Sequence, residues 1–255
     1  MKCKLCLHEK PLLKRSHIVP NFMYKSMFNG GKRLVSINTN DIGGKVKFMQ
    51  TGYTESNLLC ANCDNGILSR LERFASLNIY SEPSANSLVT RKEYDEGGEI
   101  IPYIRFENLD YTNAKLFFLS IIWRCHISKL EVFSDVNLGE HAEQIRRMIL
   151  DNDAGDEKRY EVVLIHIDTD GSRPSKAVID PRQYTSEGNT FCIFHINEIM
   201  YHFNISEHNK IDLFTKASIQ KDNIMDIAKL KGKWARMHFD MYMGRKLLMK
   251  SNIKH

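Results

Sequence analysis

The sequence predicts an α+β protein: a four-cysteine module over residues 1–80, a loop or linker over 81–104, and an α+β domain over 105–255 with two helices, a small antiparallel sheet and a C-terminal helix. Three observations carry this. Two C-x2-C pairs, Cys3/Cys6 and Cys60/Cys63, can close on one metal and staple the first part. The run Asn113 to Ser128 is apolar on nearly every side (Phe117, Phe118, Leu119, Ile121, Ile122, Trp123), which predicts a buried helix. Thr190 to Ile196 and Ile199 to Ile205 flank Asn197-Glu198, the pattern of a β-hairpin.

The elements follow in order. Pro20 biases Val19 towards extended backbone, so Ser16 onward starts extended. Asn21 to Phe28 is short enough for one small helix, stopped by Gly30-Gly31. Lys32 to Asn38 and Lys45 to Thr51 read as strands around a Gly-rich turn. The second cysteine pair opens a helix from Asp64 to about Ala75, with Ile67, Leu68 and Leu71 on one face. Residues 81–100 are polar and acidic, with Pro83 and Gly97-Gly98, and mark the boundary. Leu138, Ala142, Ile145 and Ile149 define an amphipathic helix. Tyr160 to Ile167 and Lys210 to Ile219 read as further strands. The last segment places Leu230, Trp234, Met237, Met241 and Leu248 on one helical stripe with Lys229, Lys231, Lys233, Arg236, Arg245 and Lys246 beside it.

Charge is distributed unevenly. Residues 1–33 hold eight Lys or Arg against Glu9, and residues 228–255 hold eight against Asp240, while the chain as a whole carries +5. The stretch between is therefore acidic, and two basic ends suit either a phosphate-bearing partner or two solvated surfaces. The chain starts without an apolar leader, and its best apolar run, Leu116 to Trp123, is too short to cross a bilayer. A cytoplasmic protein with no membrane partner is the expectation. In that setting paired cysteines read as metal ligands rather than disulfides, and Cys125 and Cys192 as buried thiols.

Cys3, Cys6, Cys60 and Cys63 make a complete four-thiolate set, for which zinc is the best match by softness and geometry. Four thiolates leave no open position on the metal, so the site is structural. The pairs bracket Ser16-His17-Ile18-Val19-Pro20. Taken alone, His17 fits a side chain that locks the knuckle through a backbone hydrogen bond, and Asp64 fits a helix N-cap.

Together, C-x2-C, Ser16-His17-Ile18-Val19-Pro20 and Leu58-Leu59-Cys60-x2-Cys63 resemble the zinc-stapled HNH endonucleases with their ββα-metal finger. The likeness covers roughly the first 75 residues. It implies a metal-dependent endonuclease that hydrolyses DNA phosphodiesters, with His17 as general base and a Mg²⁺- or Mn²⁺-type ion held near it. By position it brings in Asp64, then Asn65, with Glu72 two helical turns beyond Asn65. An imidazole titrates near neutrality and suits that role. Ser16 stands where the family has an acid, which keeps open a zinc module that binds nucleic acid or a protein without cutting. Nucleic-acid contacts would come from Lys14 and Arg15 near His17 and from the basic C-terminal segment. The Met-rich stripe there would equally suit a protein partner or a second copy of the chain. Small proteins of this type with an unfamiliar second half resemble phage or anti-phage components.

Overall fold

A computed structural model describes residues 1–28, 34–37, 46–49, 51–81, 88–96, 99–172, 176–186, 188–206 and 217–251. The fold is α+β. Its strands are β1 (Ser16–His17), β2 (Leu34–Ile37), β3 (Val46–Met49), β4 (Thr54–Glu55), β5 (Leu88–Glu96), β6 (Glu99–Glu107), β7 (Val162–Asp168), β8 (Val178–Ser186), β9 (Asn189–Ile196), β10 (Ile199–Asn204) and β11 (Met225–Lys231). Its helices are α1 (Ser69–Asn78), α2 (Tyr111–Ile127), α3 (His141–Asp151) and α4 (Gly232–Ser251), with short 3-10 turns at Asn21–Phe28 and Glu131–Phe133. A π-helical segment, Asn62–Leu68, runs straight into α1.

The small antiparallel sheet expected from the sequence is a nine-stranded mixed sheet in the order β3-β2-β8-β9-β10-β7-β11-β6-β5. Two of its joints, β2–β8 and β7–β11, are parallel. The expected loop over 81–104 is largely the hairpin β5–β6, paired from Leu88↔Glu107 to Glu96↔Glu99. Its charged sequence suits an edge strand, where solvent faces one side of the ladder. β8 is also unanticipated, because Pro181 argues against a strand interior. The sheet accommodates it with a bulge between Ile179 and Arg182. Within the expected strand Lys210 to Ile219, residues 210–216 lie outside the described residues; Ser218 and Ile219 are buried but carry no strand.

Other readings match the structure. The β9–β10 turn has positive φ at both Asn197 and Glu198 (50° and 65°), the backbone that a two-residue hairpin with right-handed twist requires. α2 begins at Tyr111, two residues before the expected Asn113, and the side chain of Asp110 caps it by accepting from the Asn113 amide at 2.7 Å. Nearly every side chain of α2 from Ala114 to Cys125 is buried, as its all-round apolarity demands. Ile145 and Ile149 are the buried stripe of α3.

One sheet face presents Leu164, Cys192, Phe194 and Tyr201 to a core that continues through α2 into Leu59, Leu68 and Leu71 of the cysteine module. The opposite face presents Ile167, Ile179, Ile193 and Met200 to Ala235, Phe239 and Tyr242 of α4. The C-terminal stripe therefore differs from the expected one. Lys229, Leu230 and Lys231 belong to β11, and the helix begins only at Gly232, which turns the chain at φ +53°. Trp234 and Met237 are 40% and 38% exposed rather than packed inward.

Candidate metal centre and the histidine beside it

The first knuckle is a tight turn closed by the Leu7 amide on the Cys3 carbonyl at 3.0 Å, with Leu7 itself at positive φ. The second is the start of the helix, where the amides of Cys63 and Asp64 both donate to the Cys60 carbonyl. Main-chain bonds from the Lys4 amide to the Leu58 carbonyl and from the Leu13 amide to the Leu59 carbonyl, each 2.9 Å, hold the two turns face to face. As a result the four sulfurs of Cys3, Cys6, Cys60 and Cys63 lie within 4.8 Å of one another. Cys6 and Cys60 Sγ are 3.9 Å apart. A tetrahedron with metal–sulfur bonds of ~2.3 Å has edges of about 3.8 Å, so the donor set fits one soft metal ion.

The electrostatics of the thiols favour a cation at this site. Burial works against ionising Cys3, but the amides of Cys60, Cys6 and Leu5 outweigh it and bring the thiol down to about 7. Cys63 is pushed the other way by burial and by the neighbouring sulfurs. Four sulfurs this close cannot all carry charge unless a metal neutralises them. Cys125 and Cys192 stand apart, fully buried, and burial raises both thiols.

β1 and β4 form a minimal antiparallel hairpin with Ser16 opposite Glu55 and His17 opposite Thr54. The chain that follows β4 runs through Leu58 and Leu59 into the second knuckle and its helix. The order is thus strand, strand, helix, with residues 18–53 inserted between the strands. Within the insertion, Gly52 packs directly on the buried Tyr24 ring, where a Cβ would collide with Cε2.

Asp64 is half-buried beside Ser16 and His17. It does not cap the helix: the cap position is Ala61, which makes no side-chain cap bond. Burial raises the Asp64 carboxyl; Arg124 lowers it, Glu72 raises it, and Ser16 and His17 lower it. The Ser16 hydroxyl is buried next to this carboxyl but outside standard hydrogen-bond geometry. Asn65 is exposed. Glu72 accepts from Nη1 of Arg124 at 2.6 Å, and the same nitrogen donates to the His17 carbonyl at 3.0 Å. Among the described residues, no group of three or more His, Cys, Asp or Glu other than the four cysteines gathers its ligand atoms so closely.

Two arginines that sequence reasoning passed over reach this region from the second half of the chain. Arg124 of α2 is 1% exposed, and its remaining donors bond Ser120 through its carbonyl and hydroxyl oxygens, both at 3.2 Å. Arg146 of α3 is buried, is gripped by Glu143, and donates to the Leu5 carbonyl inside the first knuckle. A clue to Arg124 was present: a charge on a helix with no polar side must find its partners inside the protein.

No family model matches the chain, and no curated protein or solved structure matches it. The basic residues expected to meet nucleic acid fall in two places. Lys14 and Arg15 are exposed just before His17. Lys231 and Lys233 are exposed, and Lys229 and Arg236 half-buried, around α4 on the far side of the sheet; the Lys233 ammonium lies 5.8 Å from the Trp234 ring. The side chains of Arg245 and Lys246 lie outside the described residues. Among the described residues no helix is long and apolar enough to cross a membrane.

Proposed function

We propose that this chain is a metal-dependent endonuclease of the HNH type, hydrolysing DNA phosphodiesters with His17 as general base. The observation that carries this reading is the strand–strand–helix order around the cysteine centre, with Asp64 and Glu72 of the helix beside the segment bearing His17. In the proposed step a water oxygen bonds to phosphorus as the bond to the leaving sugar oxygen breaks. His17 takes the proton of that water, and the leaving oxygen takes one from solvent. A Mg²⁺ or Mn²⁺ ion, when bound, would offset the charge developing on the phosphate. Asp64 is the carboxylate to hold it, since Glu72 is hydrogen-bonded to Arg124. Such ions commonly take one or two carboxylates and leave their other positions to water and phosphate oxygens. For the four cysteines we propose zinc, closed off from chemistry and serving as a staple.

The test is plasmid nicking by the zinc-loaded full chain with Mg²⁺ or Mn²⁺. His17→Ala is expected to lower the rate by about 10²–10⁴-fold. Equal cutting by both proteins would remove His17 from the mechanism. A second reading, a zinc module that binds nucleic acid without cutting, draws on the pairing of Glu72 with Arg124 and on Ser16 at the position of an acid. It predicts salt-sensitive DNA binding that His17→Ala leaves intact, with no nicking by either protein.

A further inference from the structure

Arg124 ties the strand that carries His17 to the helix that carries Asp64. Its Nη1 donates to the His17 carbonyl at 3.0 Å and to Glu72 Oε1 at 2.6 Å. Its Nε and Nη2 are fixed on Ser120, one turn earlier in α2. At 1% exposure the guanidinium cannot touch a substrate. It meets the segment that carries His17 at the backbone carbonyl. A charge this deep is stable only with its partners in place, and removing one partner strands the other.

We infer that Arg124 is a positioning residue of the His17–Asp64 site, so that helix α2, outside the cysteine module, completes that site. The bond to the His17 carbonyl fixes the backbone from which the imidazole projects. The bond to Glu72 fixes the helix from which Asp64 projects, two turns earlier. One nitrogen therefore sets the separation of strand and helix at the place where a proton acceptor and a carboxylate must face one phosphate. Displacements of about 1 Å in such settings cost roughly a hundredfold in rate. Lysine keeps the charge but presents no rigid fork, so it cannot hold Ser120, Glu72 and the His17 carbonyl at once. This inference rests on the nuclease reading for its kinetic consequence only; the separation of strand and helix can be measured without turnover.

The test compares full-length, metal-loaded wild type with Arg124→Met and Arg124→Lys. Retention of the cysteine-bound metal and cooperative melting establish that each variant is folded; should Arg124→Met not fold, Arg124→Lys carries the comparison. Arg124→Met is expected to lose roughly tenfold to a hundredfold in kcat with KM within about twofold, and Arg124→Lys to recover part of the loss. Independently of cutting, crystal structures of wild type and the folded variant should show the Cα separation of His17 and Asp64 changed by about 1 Å. A folded Arg124→Met with wild-type kcat, or with an unchanged separation, would overturn the inference. If wild type cuts no nucleic acid, the nuclease reading falls, and the separation alone decides the role of Arg124: a change upholds it and no change overturns it.

Discussion

Asp64 sits in a conflict that its neighbours only partly relieve. Burial raises its carboxyl, and the charge of Arg124 and the presence of Ser16 and His17 pull it back. An aspartate in the unfolded chain ionises near pH ~3.9. With the folded value above that, the native state holds more protons than the unfolded state between the two. Stability is therefore fully present below the unfolded value and falls as pH rises through the folded one. An asparagine at this position would keep the shape and never ionise. Asp64→Asn is thus expected to melt on the order of a few °C above wild type at pH 7, with the gap closing below the ordinary carboxylate range; under the proposed nuclease function it would also lose nicking. Calorimetry across pH checks it. A lower melting temperature for Asp64→Asn at pH 7 would mean that the bonds of the ionised carboxylate outweigh its burial. At this scale the sequence was unequally legible. The cysteines could be read because each pair is a local spacing. Arg124 could not, because the His17 carbonyl it serves is 107 residues away.

Among the elements, apolar periodicity and turn signals were legible, whereas charged strands and the joints between distant strands were not: the local hairpin β5–β6 reads as a loop because its residues are polar and acidic. α2, α3 and the β9–β10 hairpin follow from apolar periodicity and a two-residue turn, and the structure has all three. β8 and β11 depend on neighbours far along the chain. β8 pairs in parallel with β2, and β11 in parallel with β7. Nothing within their own sequences announces such joints, and Pro181 argues against one of them. The C-terminal helix shows the same effect within one element. Trp234 and Met237 look like its core stripe, but the sheet beneath selects Ala235, Phe239 and Tyr242. Phe239 is 2% exposed and sits edge-on to the His195 ring at 5.7 Å. Phe239→Ala is expected to cost about 3–5 kcal/mol and Trp234→Ala no more than about 0.5 kcal/mol, measured by urea unfolding. The reverse ranking would restore the stripe read from the sequence and turn α4 away from its present face.

Across the whole molecule, the cysteine module depends on what surrounds it. A single core of about 80 residues rarely supplies more than ~3–5 kcal/mol, and a metal staple is one way to supplement it. Here the module also leans on the second half at several points. Arg124 bonds the His17 carbonyl, and Arg146 bonds Leu5 inside the first knuckle. Glu55, opposite Ser16 in the hairpin, accepts from the Ser128 hydroxyl at 2.6 Å and the Lys129 amide at 3.0 Å. Arg70 reaches Asn113 and Asn152. β2 and β3, which precede the second knuckle in sequence, are rows of the large sheet. Leu59, Leu68 and Leu71 share one core with α2. The isolated segment 1–81 would keep its four cysteines but lose Arg124 and Arg146, the β8 partner of β2 and the apolar cover of α1. It is expected to take up one metal ion and to show no cooperative melting transition, whereas the metal-loaded full chain melts in one. The Leu13 and Ile18 amides donate to the carbonyls of Leu59 and Tyr53. Amide exchange should find both protected in the full chain and exchanging near the rate of an unfolded peptide in the segment. A segment that melts cooperatively close to the full-chain temperature would show that the staple alone suffices, and that the second half was joined to a module already able to stand by itself.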